Sequence, residues 1–110
     1  MPEDGSSIRI VLTTTATADE AARLGRILVE ERLAACATSI PGVLSIYRWE
    51  GQVESASETL LLLKTGVDRI AALEARLHEL HSYQTPEFLV VDAESASHAY
   101  AEWLRNSLAG

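Results

Sequence analysis

Two long strand-forming segments meet at a tight turn, and this pair constrains the fold more than any other feature of the sequence. The turn is Glu50-Gly51-Gln52, where glycine can adopt the positive φ that such turns need. The arms cover residues 34–49 and 53–64, and Pro41-Gly42 interrupts the first, which predicts a bulge because proline cannot donate to a strand ladder. We expect this hairpin to be too long for its own domain to cover.

A strand and a helix precede the hairpin. Residues 8–14 are mostly β-branched and apolar, which predicts a strand buried on both faces. Thr17 and Glu20 have the spacing of a capping box, so a helix should begin there and end near Leu33. Its apolar side has the 3.6-residue period and contains Ala21, Leu24, Ile27 and Leu28.

A second helix and strand follow the hairpin. Thr65, with Asp68 three residues later, predicts a helix start, and an apolar stripe of Ile70, Leu73, Leu77 and Leu80 continues it. Residues 82–86 predict a loop, since Pro86 favours extended geometry at the preceding residue. Residues 87–92 predict a last strand, and Ser97 can cap a short terminal helix.

The resulting order, β-α-β-β-α-β and a C-terminal helix, predicts an α+β protein with the ferredoxin-like split β-α-β sandwich. We expect one antiparallel sheet with helices on one face, in a single domain over residues 8–110. Residues 1–7 are polar and acidic and contain Pro, Gly and Ser, which predicts a disordered leader. The second face of the sheet and the hairpin then need cover, and other copies of the chain would supply it.

Composition narrows the function classes. Nine basic residues against sixteen acidic ones give a net charge of -7, which argues against nucleic acid or anionic membrane surfaces as partners. No apolar segment approaches the roughly 20 residues that span a bilayer. Cys36 is the one cysteine, so no internal disulfide can form, and the first residues do not resemble a signal peptide. These features predict a cytoplasmic protein.

Several blocks of sequence resemble the CutA-type divalent-cation tolerance family, and the resemblance as a whole covers residues 8–108. They are Leu-Ala-Ala-Cys-Ala at 33–37, Ile-Pro-Gly at 40–42, Ser-Ile-Tyr-Arg-Trp-Glu-Gly at 45–51, His-Ser-Tyr-Gln-Thr-Pro-Glu at 81–87 and Tyr-Ala-Glu-Trp-Leu at 100–104. The resemblance implies a ferredoxin-like fold assembled as a compact homotrimer. It also implies a role in divalent-cation tolerance, copper binding, and structural kinship with PII-type signalling proteins.

Three residues are candidate metal ligands. His81 and Glu87 flank the predicted loop, and an imidazole with a carboxylate suits Cu(II), which heads the divalent affinity order. Cys36 would add a soft thiolate ligand. The alternatives are that His81 caps a helix C-terminus, that Glu87 pairs with an arginine of a neighbouring subunit, and that Cys36 packs as a small apolar residue. Thr13-Thr14-Thr15 stands where some family members have a cysteine implicated in copper binding, so that ligand is absent.

Four aromatic residues are candidates for an interface or cleft. Tyr47 and Trp49 alternate with Arg48 and therefore share one face of the hairpin, where they pack either in the core or against another subunit. The family's assembly implies that Tyr83 and Trp103 line the same cleft between subunits.

Enzyme motifs such as phosphate-binding loops, His-Glu-x-x-His and nucleophile elbows are absent from the sequence. We therefore predict a non-enzymatic homotrimer that binds or senses a metal, with no required cofactor and divalent copper as the candidate ion. The alternative is a PII-like signalling or scaffold module that binds a small molecule or protein in clefts between subunits. A third reading is an enzyme with Glu87 as base and His81 as acid.

Overall fold

The computed structural model describes residues 2–4 and 7–110, with side chains from Ser7 onwards. Its elements, in chain order, are strands and helices with one short 3-10 turn at Val67–Arg69. They are β1 Pro2–Asp4, β2 Ile8–Thr15, α1 Ala18–Glu30, β3 Cys36–Trp49, β4 Gln52–Gly66, α2 Ile70–Leu80, β5 Leu89–Asp92, β6 Ser95–Ser97 and α3 His98–Leu108.

The main sheet has four antiparallel strands in the order β3-β4-β2-β5. β4 lies between β2 and β3, and β2 lies between β4 and β5, so two β-α-β units interleave. This is the ferredoxin-like split β-α-β arrangement that the element order predicts.

The N-terminal segment differs from the predicted disordered leader. Pro2–Asp4 pairs antiparallel with Ser95–Ser97 in a separate two-stranded sheet, which ties this part of the terminus down. Residues 1, 5 and 6 of the predicted leader lie outside the described residues.

The core lies between the sheet and helices α1 and α2. Thr17 caps α1 as predicted, because its hydroxyl accepts a hydrogen bond from the Glu20 amide at 3.1 Å. β2 turns alternate residues inward, and the apolar stripes of α1 and α2 pack on them. The buried cluster is Val11, Leu24, Leu28, Ala34, Leu61, Leu63, Leu73 and Leu77.

The predicted helix start at Thr65 is wrong. Thr65 is still in β4, is fully buried, and donates its hydroxyl to the Leu33 carbonyl at 2.7 Å. The helix begins only at Ile70, after the 3-10 turn, and no side chain caps it. The hydroxyl therefore satisfies a carbonyl of the segment after α1 instead of a helix N-terminus.

The hairpin projects from the domain as expected. The register of β3 against β4 shifts between Ile40 and Val43, which is the predicted bulge, and Gly51 takes a φ of 79° in the turn. The molecule measures 46 Å along its longest axis against 25 and 23 Å along the others. Beyond the helices, Leu44, Ile46 and Val53 are 67, 68 and 65% exposed.

The face of the sheet opposite α1 and α2, here called the open face, is apolar and only partly covered. α3 packs over its end near Ile8, where Ala101, Leu104 and Leu108 are buried. Ile40 and the strand-β5 residues Leu89 and Val91 are exposed. Among the described residues, no helix is long and apolar enough to cross a membrane.

Candidate functional site

A cleft of about 800 Å³ lies between the hairpin and the loop that follows α2. Residues 82–88, here called the cleft loop, form one wall, and Thr14 at the end of β2 forms the floor beside it. The opposite wall is the open face of the hairpin, which contributes Ser45, Tyr47, Trp49 and Glu58.

Two carboxylates face this cleft. Glu58 accepts a hydrogen bond from the Tyr83 hydroxyl at 2.6 Å, while Glu87 lines the cleft from the loop. Partial desolvation, followed by the negative charge of Glu58, raises the pKa of Glu87. None of the described residues that line the cleft is Lys or Arg, so the ionisable groups that line it are Glu58, Glu87 and the phenols of Tyr47 and Tyr83.

Tyr83 connects the cleft loop to the hairpin. Its phenol donates to Glu58, and burial together with that carboxylate raises the pKa of Tyr83 strongly, so the hydroxyl stays protonated. Its ring also lies 4.8 Å from the His81 ring, measured between centroids. Tyr83 is therefore a hydrogen-bond donor that fixes the position of the Glu58 carboxylate.

His81 is buried beside the cleft and has both ring nitrogens engaged. Its side chain is 0% exposed. The Tyr83 amide donates to Nδ1 at 3.0 Å, so Nδ1 carries no proton, and Nε2 must donate to the Thr14 carbonyl at 2.8 Å. A metal ion could bind His81 only after one of these backbone hydrogen bonds is broken.

Cys36 lies far from the other two predicted ligands. It pairs with Lys64 in the ladder, with its Sγ 4.0 Å from the Lys64 ammonium and 3.7 Å from the Thr38 hydroxyl. Lys64 is six residues from Glu58 along β4, which corresponds to about 20 Å at the strand rise per residue.

The predicted set of His81, Glu87 and Cys36 is therefore not assembled within one chain. Within the described part of the chain, no three His, Cys, Asp or Glu side chains are close enough to hold a metal ion. The donor atoms that face the cleft are oxygens. The imidazole of His81 and the thiol of Cys36, which are ligands that copper favours, do not face it. A preformed copper site of this kind does not fit the single chain.

The four aromatic candidates separate into two places. Tyr47, Trp49 and Tyr83 line the cleft. Trp103 is on α3, where its ring lies 5.5 Å from that of Tyr100, and α3 packs at the opposite end of β2, around Ile8. One chain therefore does not bring Tyr83 and Trp103 together.

Sequence reasoning missed Glu58 and Thr14. Glu58 alternates with Leu60 and Leu62 on one face of β4, but Glu54 and Lys64 carry charges on the same face. Its charge alone therefore does not single it out, and only the hydrogen bond from Tyr83 does. Thr14 carries no signal in the sequence either, because its role depends on the loop that reaches its carbonyl.

Known proteins resemble this chain in sequence and fold. The divalent-cation tolerance protein CutA of Thermus thermophilus is 40% identical over 98 residues, which cover 89% of this chain and 95% of that protein. CutA from Synechococcus elongatus superposes with a TM-score of 0.95 at 38% identity, covering 99% of this chain and 96% of that one.

Two further solved structures resemble the chain. The Synechococcus elongatus protein complexed with a Bis-Tris molecule gives a TM-score of 0.90 at 36% identity, covering 97% of this chain and 99% of that one. A protein from Archaeoglobus fulgidus described as a periplasmic divalent cation tolerance protein CutA gives 0.90 at 27% identity, covering 93 and 99%. A family model described as CutA1 divalent ion tolerance protein matches residues 9–107, so this chain belongs to that family.

Proposed function

We propose that this protein is a non-enzymatic, self-associating module of divalent-cation tolerance that binds a cation in the cleft at a subunit boundary. The observation that carries the proposal is the pair Glu58 and Glu87, which face one cleft with no basic residue among the described residues that line it. The exposed hairpin forms one wall of the same cleft, so self-association and cation binding involve one surface.

The exposed apolar side chains of the hairpin support self-association. Leu44, Ile46 and Val53 are exposed on one of its faces, and Tyr47 and Trp49 on the other. Leaving so much apolar surface in water is costly, and a second copy would remove it. A closed ring of copies would cover every hairpin, and the homotrimer implied by the family resemblance is the ring that we propose.

Two carboxylate oxygens would bind a cation in this cleft. Water or a neighbouring copy would supply the remaining ligands. Such an oxygen-rich site is less selective for Cu(II) than a site with imidazole or thiolate. We therefore propose that the site accepts several divalent ions, with Cu(II) as the first ion to test because it binds most strongly across the divalent series.

The test is calorimetric titration of Cu(II) into the wild type and into the double variant Glu58→Gln/Glu87→Gln. We expect measurable binding in the wild type and its loss in the double variant. Glu74→Gln is the matched control, since Glu74 is an exposed carboxylate on α2. Equal affinity in all three proteins would remove the cleft from consideration as the cation site.

The pH dependence of that binding is a further expected result. Because desolvation and the Glu58 charge raise the pKa of Glu87, protons compete with the cation at a higher pH than they would at an ordinary glutamate. Affinity should be full well above this raised pKa and should fall as the pH is lowered through it. Glu87→Gln should shift the loss to lower pH, and an unchanged profile would show that Glu87 does not take part.

A small molecule is the second candidate for the cleft, as in a PII-like signalling or scaffold module. The volume suits a small ligand, Tyr47 and Trp49 offer aromatic surface, and a similar protein has been solved in complex with Bis-Tris, an amine with several hydroxyls. Native mass spectrometry of the purified protein separates the candidates, because it reports the mass of any retained molecule per subunit.

Two further parts of the proposal concern catalysis and location. The enzymatic reading needs His81 as an acid, but both of its nitrogens bond to backbone groups, which favours binding without catalysis. We propose the cytoplasm as the compartment because the lone cysteine, Cys36, forms no internal disulfide and needs no oxidising environment. Fractionation of the native cells tests this, since one similar protein is described as periplasmic.

A further inference from the structure

We propose that His81 is a positioning residue that sets the affinity of the cleft by holding the cleft loop against the end of β2. The inference rests on the proposed function, because it supposes that the cleft binds a ligand. It assigns His81 a role different from metal ligation, and the role depends on two hydrogen bonds made by one buried ring.

The two bonds join residues on different walls of the cleft. Nδ1 accepts from the Tyr83 amide in the loop, and Nε2 donates to the Thr14 carbonyl at the end of β2. Both Thr14 and Tyr83 line the cleft, whereas His81 does not, so the buried imidazole fixes the distance between them from outside the cleft. The helix end does not need the ring, because the His81 amide itself bonds to the Leu77 carbonyl at 2.9 Å.

Glu20 holds the same loop from the α1 side. Its Oε2 accepts from the Ser82 amide at 2.9 Å and its Oε1 accepts from the Ser82 hydroxyl at 3.0 Å. Ser82 lies between His81 and Tyr83, so the loop is fixed immediately before it enters the cleft. Tyr83 then reaches Glu58, and the position of one cation-facing carboxylate follows from the position of the loop.

A pair of substitutions can separate the two bonds. In His81→Asn, the side-chain oxygen can still accept from the amide two residues later, as in an Asx turn, but the side chain is too short to reach Thr14. In His81→Gln, the longer amide can donate to the Thr14 carbonyl, but its acceptor no longer lies beside the Tyr83 amide. The first variant keeps the loop bond and the second keeps the strand bond.

Cu(II) ions are the probe for the effect on the cleft. We expect His81→Asn and His81→Gln each to bind Cu(II) about fivefold to tenfold more weakly than the wild type, because each variant keeps only one of the two buried hydrogen bonds that join Thr14 to Tyr83. Wild-type affinity in either variant would overturn the proposal that the two bonds act together. Loss of all binding in both would instead indicate that His81 is a ligand.

Amide hydrogen exchange tests the loop without any ligand and separates this inference from the proposed function. The Tyr83 amide should exchange at least about tenfold faster in His81→Gln than in the wild type or His81→Asn, while α1 amides are unchanged. Nitrogen-15 shifts of the wild-type ring should report a protonated Nε2 and an unprotonated Nδ1. Equal Tyr83 protection in all three proteins, or the opposite tautomer, would overturn the inference even if Cu(II) binds.

Discussion

Ile46→Asp should convert the assembled protein into folded monomers. Ile46 is on the part of β3 that extends beyond the helices and is 68% exposed in the single chain, so a carboxylate there costs the monomer little. In an assembly that covers the hairpin, the same carboxylate would be buried without a partner. Such a charge costs about 3–5 kcal/mol, which weakens the dissociation constant at each interface more than a hundredfold.

Sedimentation velocity at micromolar concentration checks this prediction, with circular dichroism to show that the fold is kept. Val67→Asp is the matched control, because Val67 is also half-exposed but lies in the turn at the other end of β4. The control should sediment like the wild type. An Ile46→Asp protein with the wild-type mass would show that the hairpin is not the interface.

Gly25→Ala should destabilise the protein although alanine is the better helix former. A Cβ atom at Gly25 in α1 would lie 2.9 Å from the Cβ of Ala37 in β3, and neither atom is at the end of a flexible side chain. Overpacking of this kind costs about 1–3 kcal/mol, against a gain in helix propensity of about 1 kcal/mol. We expect the free energy of unfolding to fall by up to about 2 kcal/mol.

Urea unfolding at one fixed protein concentration measures this change, since the stability of an oligomer depends on concentration. Ala37→Gly removes the opposing methyl group, so the double variant Gly25→Ala/Ala37→Gly should recover part of the loss. The coupling between the two substitutions, and not either value alone, reports the contact. A Gly25→Ala protein about 1 kcal/mol more stable than the wild type would show that α1 does not pack this closely on β3.

Local patterns in the sequence predicted most of the fold. The hydroxyl of Thr17, the bulge at Pro41-Gly42 and the turn at Gly51 depend on neighbouring residues, and each is in the structure as expected. The helix start predicted at Thr65 was wrong because a threonine before a helix has the same local pattern whether it caps that helix or bonds to a distant carbonyl. Only the tertiary contact with Leu33 decides between the two.

The candidate site was less accessible to sequence reasoning. His81 and Glu87 were recognised by their chemical types, but the type of a side chain does not show which backbone groups it forms hydrogen bonds with. Thr14 is 67 residues from His81 in the sequence, and their hydrogen bond exists only because β2 ends beside the cleft loop. Glu58 likewise belongs to the site because of a tertiary contact, the hydrogen bond that it accepts from the phenol of Tyr83.

The most direct test of the account is the mass of the wild-type protein at nanomolar concentration, measured by native mass spectrometry. We expect three times the chain mass of 12.0 kDa, because the apolar hairpin is exposed in one chain and the proposed homotrimer would cover it. A folded species with the mass of one chain under the same conditions would contradict it.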